Sequence, residues 1–585
     1  MSEEATEKRL KVLKWALYAV VAVILVRLFV IQVVQKGEWV AKAEAQHTLE
    51  NTIKAKRGEI YMMDGSEPVA VVMNEKVWTV IVDPMVVEEE ELREVVFAEE
   101  MEPYLTVAGV SEVVKDRTRR YMVVARNVPR ELAVKLREAE LAGVIMQEGT
   151  KRVYPEGTLA ARLLGFVNLD GEGQYGVEES LDEELRGKDG RLKTVADVNN
   201  VALSIGNDNV RVPAEDGKNV VLTVDRNVQA KVEEILQRKM TEFGKDQASA
   251  LVMNPRNGEV LAMANLPGYD PFNYGEVENA SVYVNRVTSD PYEPASVCKA
   301  FTFATGIELG VLTPETVFYN NGYEMVDGWM IKNSTYGQTN LLGPTTIQTA
   351  LNWSLNTGSM YALKLLGGDV TQINEKGRKI LYDYYVNHFG LGKATGIELY
   401  EATGLINDPV EGDGRDSLYA NMTFGQNMMV TMLQVAAGYS ALVNGGEYYA
   451  PTVVKGYIGE DGKLEEKEKS GPAWRAVSET TSATMRQMLW GTRSAMRLYG
   501  VDRDGYFVGG KTGTAQVIRD GAYSMDEWVA TYVGFGGATG EMPEYLVMVR
   551  IWKDGETTGA EQYAQPVFNE ISDFMIDYLK IKPGA

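Results

Sequence analysis

Apolar residues run almost unbroken from Trp15 to Val34 (WALYAVVAVILVRLFVIQVV). A helix of that length reaches about 30 Å, the thickness of a bilayer's hydrocarbon core. The run predicts a membrane-spanning helix. It is too long for a signal peptide, and no small-x-small cleavage site follows, so it reads as an uncleaved anchor. Lys8, Arg9, Lys11 and Lys14 precede it, and only Lys36 follows closely. The positive-inside bias puts residues 1–14 in the cytoplasm and everything after residue 35 outside. Arg27 and Gln32 interrupt the run. A central charge costs roughly 2.5–3.5 kcal/mol on insertion scales. Two readings of Arg27 stay open: it snorkels to the outer interface, or it meets a partner membrane protein.

Beyond the anchor the pattern changes. Residues 36–56 read as a helix continuing outward. Arg57–Tyr61 and Val77–Val82 read as short strands, and 129–140 as an amphipathic helix. The acidic run Glu88–Glu91 reads as one solvated helix face. Residues 152–190 are glycine-rich, with an acidic helix inside. Nothing across 36–215 sets a carboxylate beside a plausible nucleophile, so this stretch reads as a pedestal or protein-interaction module. From residue 216, a strand (Asn219–Val224) and a helix (Gln229–Glu242) lead into two apolar runs, Ala248–Asn254 and Glu259–Ala264. The turn Pro255-Arg256-Asn257-Gly258 joins them as a hairpin. Strands return at Gly510–Val517, Trp528–Phe535 and Tyr545–Trp552, and a last helix covers Pro566–Leu579. Strands from both ends thus bracket a middle expected to be all helical. That predicts one antiparallel sheet flanked by helices, an α+β domain over 216–582.

Composition narrows the function. The 585 residues suffice for two to four domains, and 45% hydrophobic content is globular. The formal charge of −23 argues against nucleic acid, whose binding needs clustered Lys and Arg. The single cysteine, Cys298, excludes an intramolecular disulfide. The two histidines, His47 and His388, have no setting that suggests a triad. No His/Cys/carboxylate cluster has metal-ligand spacing, and no phosphate-cradling glycine loop is present.

Candidate chemistry centres on Pro294-Ala295-Ser296-Val297-Cys298-Lys299, which runs into an apolar helical stretch. Residues three apart share a helix face, so the Lys299 amine can reach the Ser296 hydroxyl. Ser-x-x-Lys alone is a weak signal. So is Ser354-x-Asn356, which by itself is usually a turn or cap. So is Lys511-Thr512-Gly513, which by itself is usually a hairpin entry. All three, in this order and within one expected domain, form a strong signal.

On these motifs the chain resembles the class B penicillin-binding proteins, membrane-anchored D,D-transpeptidases of bacterial wall synthesis. The likeness extends to Arg57-Gly58-x-Ile60, Gly165-Phe166, Gly176-Val177-Glu178, Leu222-Thr223-x-Asp225, Phe424-Gly425-Gln426 and Asn444-Gly445-Gly446. Glu293-Pro294 ahead of the serine is closer to the septal subclass. The resemblance implies a penicillin-binding, β-lactamase-like transpeptidase fold. It implies a catalytic set of Ser296, Lys299, Ser354, Asn356 and Lys511. Ser296 attacks the D-Ala-D-Ala end of a peptidoglycan stem peptide. Ser354 relays a proton, and Asn356 fixes Lys299 and donates to the substrate amide. Lys511, Thr512, Gly513 and Thr514 hold the donor, with an oxyanion hole from the Ser296 and Thr514 N–H groups. β-Lactams would acylate Ser296. No metal or cofactor is implied. With no room for a glycosyl-transfer domain before residue 215, a polytopic membrane glycosyltransferase is the expected partner. The chain departs from the family where Ala295 stands for the usual glycine, and at Val297 and Cys298. Cys298 lies about 200° round the helix from Ser296, so it is expected to pack away from the pocket. The competing readings are a D,D-carboxypeptidase, a β-lactamase, and a non-catalytic division scaffold or penicillin sensor. A β-lactamase lacks support because no Glu-x-x-Leu-Asn deacylation segment is present. A sensor would need more than the short cytoplasmic tail.

Overall fold

The structure is a computed structural model. It describes residues 3–39, 48–87, 99–106, 115, 117–195, 210–245, 247–468, 470–495, 502–519, 522–554 and 559–584. His47 and the Glu88–Glu91 run lie outside the described residues. The chain divides into two compact units.

The first unit comprises residues 1–57 and 186–217. Its helix runs from Glu3 to Phe29 and continues through a wider turn at Val30–Val34. The segment Glu7–Val34 has mean hydropathy 2.6 over its most apolar window and is unburied, so it fits a single-pass membrane anchor. The helix expected over 36–56 is corrected in part. Thr48–Ile53 is a strand, paired antiparallel with Gly190–Val195, which in turn pairs with Val210–Val212. The sequence TLENTI is rich in β-branched residues, and a distant partner strand completes its hydrogen bonds.

The second unit comprises residues 58–185 and 218–585. One of its sheets pairs Ile60–Asp64 with Glu67–Val82, which then pairs with Met122–Val128 and Val144–Val153. Asn219–Asp225 lies parallel to Ile60–Asp64 and antiparallel to Val454–Ile458. A strand after residue 216 therefore shares a sheet with strands from before it. Beside this sheet a buried ion pair joins Arg152 Nε to Glu178 Oε1 at 2.7 Å.

The other large sheet positions the chemistry. Its strand order is Val260–Leu266, Ala248–Met253, Tyr545–Asp554, Ala522–Ala538, Tyr506–Arg519, and every pair is antiparallel. Period-two alternation splits its side chains between two cores. Ala248, Ala250 and Val252 join the helices Arg226–Phe243 and Ala564–Tyr578. Leu251 and Met253 join the other core, which contains Phe301 and Phe303.

The expectation of an all-helical middle is corrected. Val317–Asn320 pairs with Gly343–Thr346, and Tyr323–Val326 with Trp329–Lys332. The second hairpin turns at Asp327-Gly328, both at positive φ (49° and 80°), as a tight two-residue turn demands. That Asp-Gly pair was the available signal for it.

Candidate active site

Ala295–Cys298 forms a single tight turn that leads into the helix Lys299–Glu308. The turn is held from several sides. Ala295 N–H donates to the Gly425 carbonyl at 3.0 Å. The Tyr439 hydroxyl donates to the Val297 carbonyl at 2.5 Å. Ala295 has φ +55°, the left-handed region where the family's usual glycine is at ease. Cys298 is fully buried, and burial pushes its thiol far up, so it is an inert packing residue as expected.

Three distant segments converge on Ser296. Lys299 Nζ stands 2.9 Å from Ser296 Oγ. It donates to the Ser354 carbonyl at 2.6 Å and lies 3.1 Å from Ser354 Oγ. Ser354, also left-handed at φ +55°, sits in the turn between the helices Ile347–Asn352 and Asn356–Gly367. From the edge strand, Lys511 Nζ donates to Ser354 Oγ at 3.1 Å and to the Thr512 carbonyl at 3.2 Å. Ser296, Lys299, Ser354 and Lys511 thus form one hydrogen-bonded chain.

The two amines are almost entirely removed from water. Burial, reinforced by the Lys511 charge, drives Lys299 well below its ordinary value. Burial brings Lys511 down to about 7, against an opposing pull from Glu561. A neutral Lys299 can accept the Ser296 proton, which a charged one cannot.

The remaining predicted residues divide. Thr512 Oγ1 is 3.4 Å from Lys511 Nζ. Gly513 passes so close to the serine turn that a Cβ there would meet the Pro294 carbonyl at 2.7 Å. Thr514 follows on the same strand, its Oγ1 accepting from Ala560 N–H at 3.0 Å. This strand ends the sheet, so its outer N–H and C=O groups face no partner strand of the sheet. Asn356 departs from expectation. Its Nδ2 donates to the Lys332 carbonyl at 2.8 Å, and no hydrogen bond joins it to Lys299 among the described residues. It opens its helix beside the 329–332 strand, and the Ser354 carbonyl takes the Lys299 bond that Asn356 was expected to make.

The sequence reading missed two neighbours. The Phe424 ring lies 5.7 Å from Lys299 Nζ. The Tyr523 hydroxyl donates to Glu293 Oε1 at 3.0 Å. Phe424 belonged to a motif noted only for resemblance, and Tyr523 carried no signal.

This constellation meets its counterpart in the protein families. Residues 248–573 match the penicillin-binding protein transpeptidase domain, and residues 52–222 match the penicillin-binding protein dimerisation domain. The chain belongs to the class B penicillin-binding proteins. It is accordingly a transpeptidase, an acyl-transfer enzyme. Stage V sporulation protein D of Bacillus subtilis is 32% identical over 465 residues, covering 78% of this chain and 69% of that protein. The peptidoglycan D,D-transpeptidase FtsI of Escherichia coli is 28% identical over 478 residues, covering 80% of this chain and 74% of that one. Penicillin-binding protein 3 of Mycobacterium tuberculosis, solved in complex with aztreonam, superposes with a TM-score of 0.66. Its identity is 25%, over 92% of this chain and 98% of that one.

Proposed function

We propose that this penicillin-binding protein crosslinks peptidoglycan stem peptides through an acyl-enzyme on Ser296, outside the membrane, in septal wall synthesis. The observation that carries the reading is the buried chain Ser296–Lys299–Ser354–Lys511, with two amines held low. Neutral Lys299 takes the Ser296 proton as Oγ attacks the penultimate D-Ala carbonyl of the donor. The oxyanion rests on the Ser296 and Thr514 N–H groups at the meeting of turn and edge strand. Ser354, touching both lysines, passes the proton to the departing D-Ala amine. Lys511 and Thr512 hold the donor's terminal carboxylate, and the donor peptide adds as a strand along the free sheet edge. Asn356 is left the substrate-amide role. An amine of a neighbouring stem then resolves the ester.

The basic cluster at Lys8–Lys14 supports a cytoplasmic N-terminus, and Arg27 within the span supports contact with a polytopic membrane glycosyltransferase. Labelled penicillin tests the chemistry. It should attach to Ser296, and labelling that survives in a Ser296→Ala protein would refute the mechanism. Incubation with lipid-linked precursor and a glycosyltransferase should yield crosslinked dimers. Trimmed tetrapeptides alone would mean carboxypeptidation.

A further inference from the structure

The helix that starts at Asn356 has no cap of its own. It runs from Asn356 to Gly367, and the residue ahead of it, Leu355, is fully buried and has no side-chain oxygen to offer the first N–H groups. Ser354 has one, but its hydroxyl stands between the two lysines. The acceptor comes from outside the helix. Asn333, which follows the strand Trp329–Lys332, accepts from Thr357 N–H through its Oδ1 at 3.0 Å.

Asn333 is 3% exposed, and the rest of its hydrogen-bonding groups are placed as well. Its Nδ2 donates to Asn320 Oδ1 at 3.0 Å and to Thr357 Oγ1 at 3.2 Å. The Thr357 hydroxyl donates to Asn320 Oδ1 at 2.9 Å. The backbone N–H of Asn333 donates to the Gly322 carbonyl at 2.9 Å. Asn320 and Thr357 are buried too, so three segments of chain meet in a closed polar network. Apolar side chains would be cheaper to bury there, but a polar network with every member satisfied fixes one arrangement. This network sits directly behind Asn356. Lys332, next to Asn333, offers the carbonyl that Asn356 Nδ2 donates to at 2.8 Å, and Thr357, next to Asn356, gives its N–H to Asn333. Lys332-Asn333 thus grips Asn356-Thr357 by one bond to a side chain and one to the backbone. An amide carries two N–H donors, so the second on Asn356 is left for a ligand. Ser354 is held separately: its N–H donates to the Leu351 carbonyl at 3.2 Å, and Leu355 N–H to the Ala350 carbonyl at 2.8 Å. A shift of Asn333 therefore moves Asn356 and leaves Ser354 in place.

We propose that Asn333 is a positioning residue for acylation: from the neighbouring hairpin it caps the Asn356 helix, and so aims the Asn356 amide at the amide carbonyl of the donor. The assignment rests on the substrate-amide role given to Asn356 above. Displacing a substrate-positioning group by an ångström is enough to slow a reaction many-fold. A residue that only supports the fold would slow every ligand alike. One that acts through Asn356 slows those ligands that carry the amide.

The test compares acylation of the full-length protein in detergent by benzylpenicillin, which carries an acylamide, and by penicillanic acid, the same bicyclic nucleus without it. Stopped-flow rate constants at excess ligand give the ratio of the two for each variant. Both constants come from the protein that reacts, so a partly unfolded sample leaves the ratio intact. Asn333→Leu, which fills the space but offers no acceptor, should lower the ratio by about tenfold. Asn333→Asp, which keeps an oxygen for the Thr357 N–H, should restore part of it. In an Asn356→Ala background, where the ratio has already fallen, Asn333→Leu should change it by less than about twofold. A wild-type ratio in Asn333→Leu would overturn the proposal, and so would a further loss of about tenfold in the Asn356→Ala background. Absence of folded protein for both Asn333→Leu and Asn333→Asp would leave a purely structural role and overturn it too. If Asn356→Ala by itself leaves the ratio unchanged, the amide role of Asn356 fails and takes the proposal with it, which separates the two cases.

Discussion

Replacing Lys511 with Met should make this protein more stable at neutral pH while disabling it. The amine is 1% exposed and held at about 7, against an ordinary value of 10.5. Between those values the unfolded chain carries a proton that the folded chain does not, so stability rises with pH across the window. Below about 7 the whole deficit is present. A shift of 10.5 − 7 = 3.5 units corresponds to about 4.8 kcal/mol at most. Met fills similar volume without the charge, so the variant recovers this deficit. Against it stand the hydrogen bonds to Ser354 Oγ and the Thr512 carbonyl, worth roughly 1 kcal/mol each. The net expectation is about 2–3 kcal/mol of added stability near pH 7. The difference should shrink by about 3 kcal/mol on moving to about pH 9.5, because through that range the folded amine is neutral while the unfolded one still holds its proton. Urea denaturation of both proteins across that range measures it, and groups common to both cancel. Penicillin acylation should fall ~10–100-fold, the worth of a charge-assisted grip on the ligand carboxylate. A variant less stable than wild type at pH 7, or a difference flat with pH, would refute the reasoning.

Further expectations follow from contacts elsewhere. Gly513→Ala places a Cβ 2.7 Å from the Pro294 carbonyl, so the strand or the serine turn must shift, and acylation should drop by about tenfold or more from sub-ångström misplacement. Stopped-flow acylation checks this, and an unchanged rate would count against the close approach. Ala295→Gly relieves left-handed strain of about 1–2 kcal/mol, but gives back roughly 0.5–1 kcal/mol of chain entropy and about 0.8 kcal/mol of buried methyl. Its stability should therefore lie within about 1 kcal/mol of wild type by thermal unfolding. Arg152→Ala removes one ion-pair partner from the buried Glu178 carboxylate and should destabilise the fold, by up to about 3–5 kcal/mol, read by denaturation.

The catalytic strands were readable because each apolar run alternates between two cores, as Ala248–Met253 shows. Ser296 and Lys299 were readable because three residues of helix place them on one face, wherever the rest of the chain goes. Residues whose role depends on a distant partner were not readable. Thr48–Ile53 is a strand only because Gly190–Val195 runs beside it. Asn356 was assigned to Lys299 by motif, yet its partner is a carbonyl on a hairpin that itself went unread. Glu293 stood out only as a subclass mark. Its carboxylate is held by Asn427 and Tyr523, which are remote in the chain.

Several features that work against stability meet around Ser296. Two lysines are buried without a carboxylate bonded to either amine among the described residues. Ala295 and Ser354 are both held in a backbone region that non-glycine residues avoid. Each is locally unfavourable, and each is imposed by packing from outside the site. The Gly425 carbonyl accepts from Ala295 N–H, the Tyr439 hydroxyl donates to the Val297 carbonyl, and the helix starting at Lys299 is buried along nearly its whole length. That helix also fixes itself to its neighbours through Thr302 Oγ1, which donates to the Thr423 carbonyl at 2.7 Å and meets the Tyr385 hydroxyl at 2.8 Å. A neutral amine next to a serine hydroxyl is what this chemistry requires, and water would destroy it by restoring the proton. The large apolar core around the serine helix therefore serves the reaction directly: it keeps two lysines dry enough for one of them to act as a base.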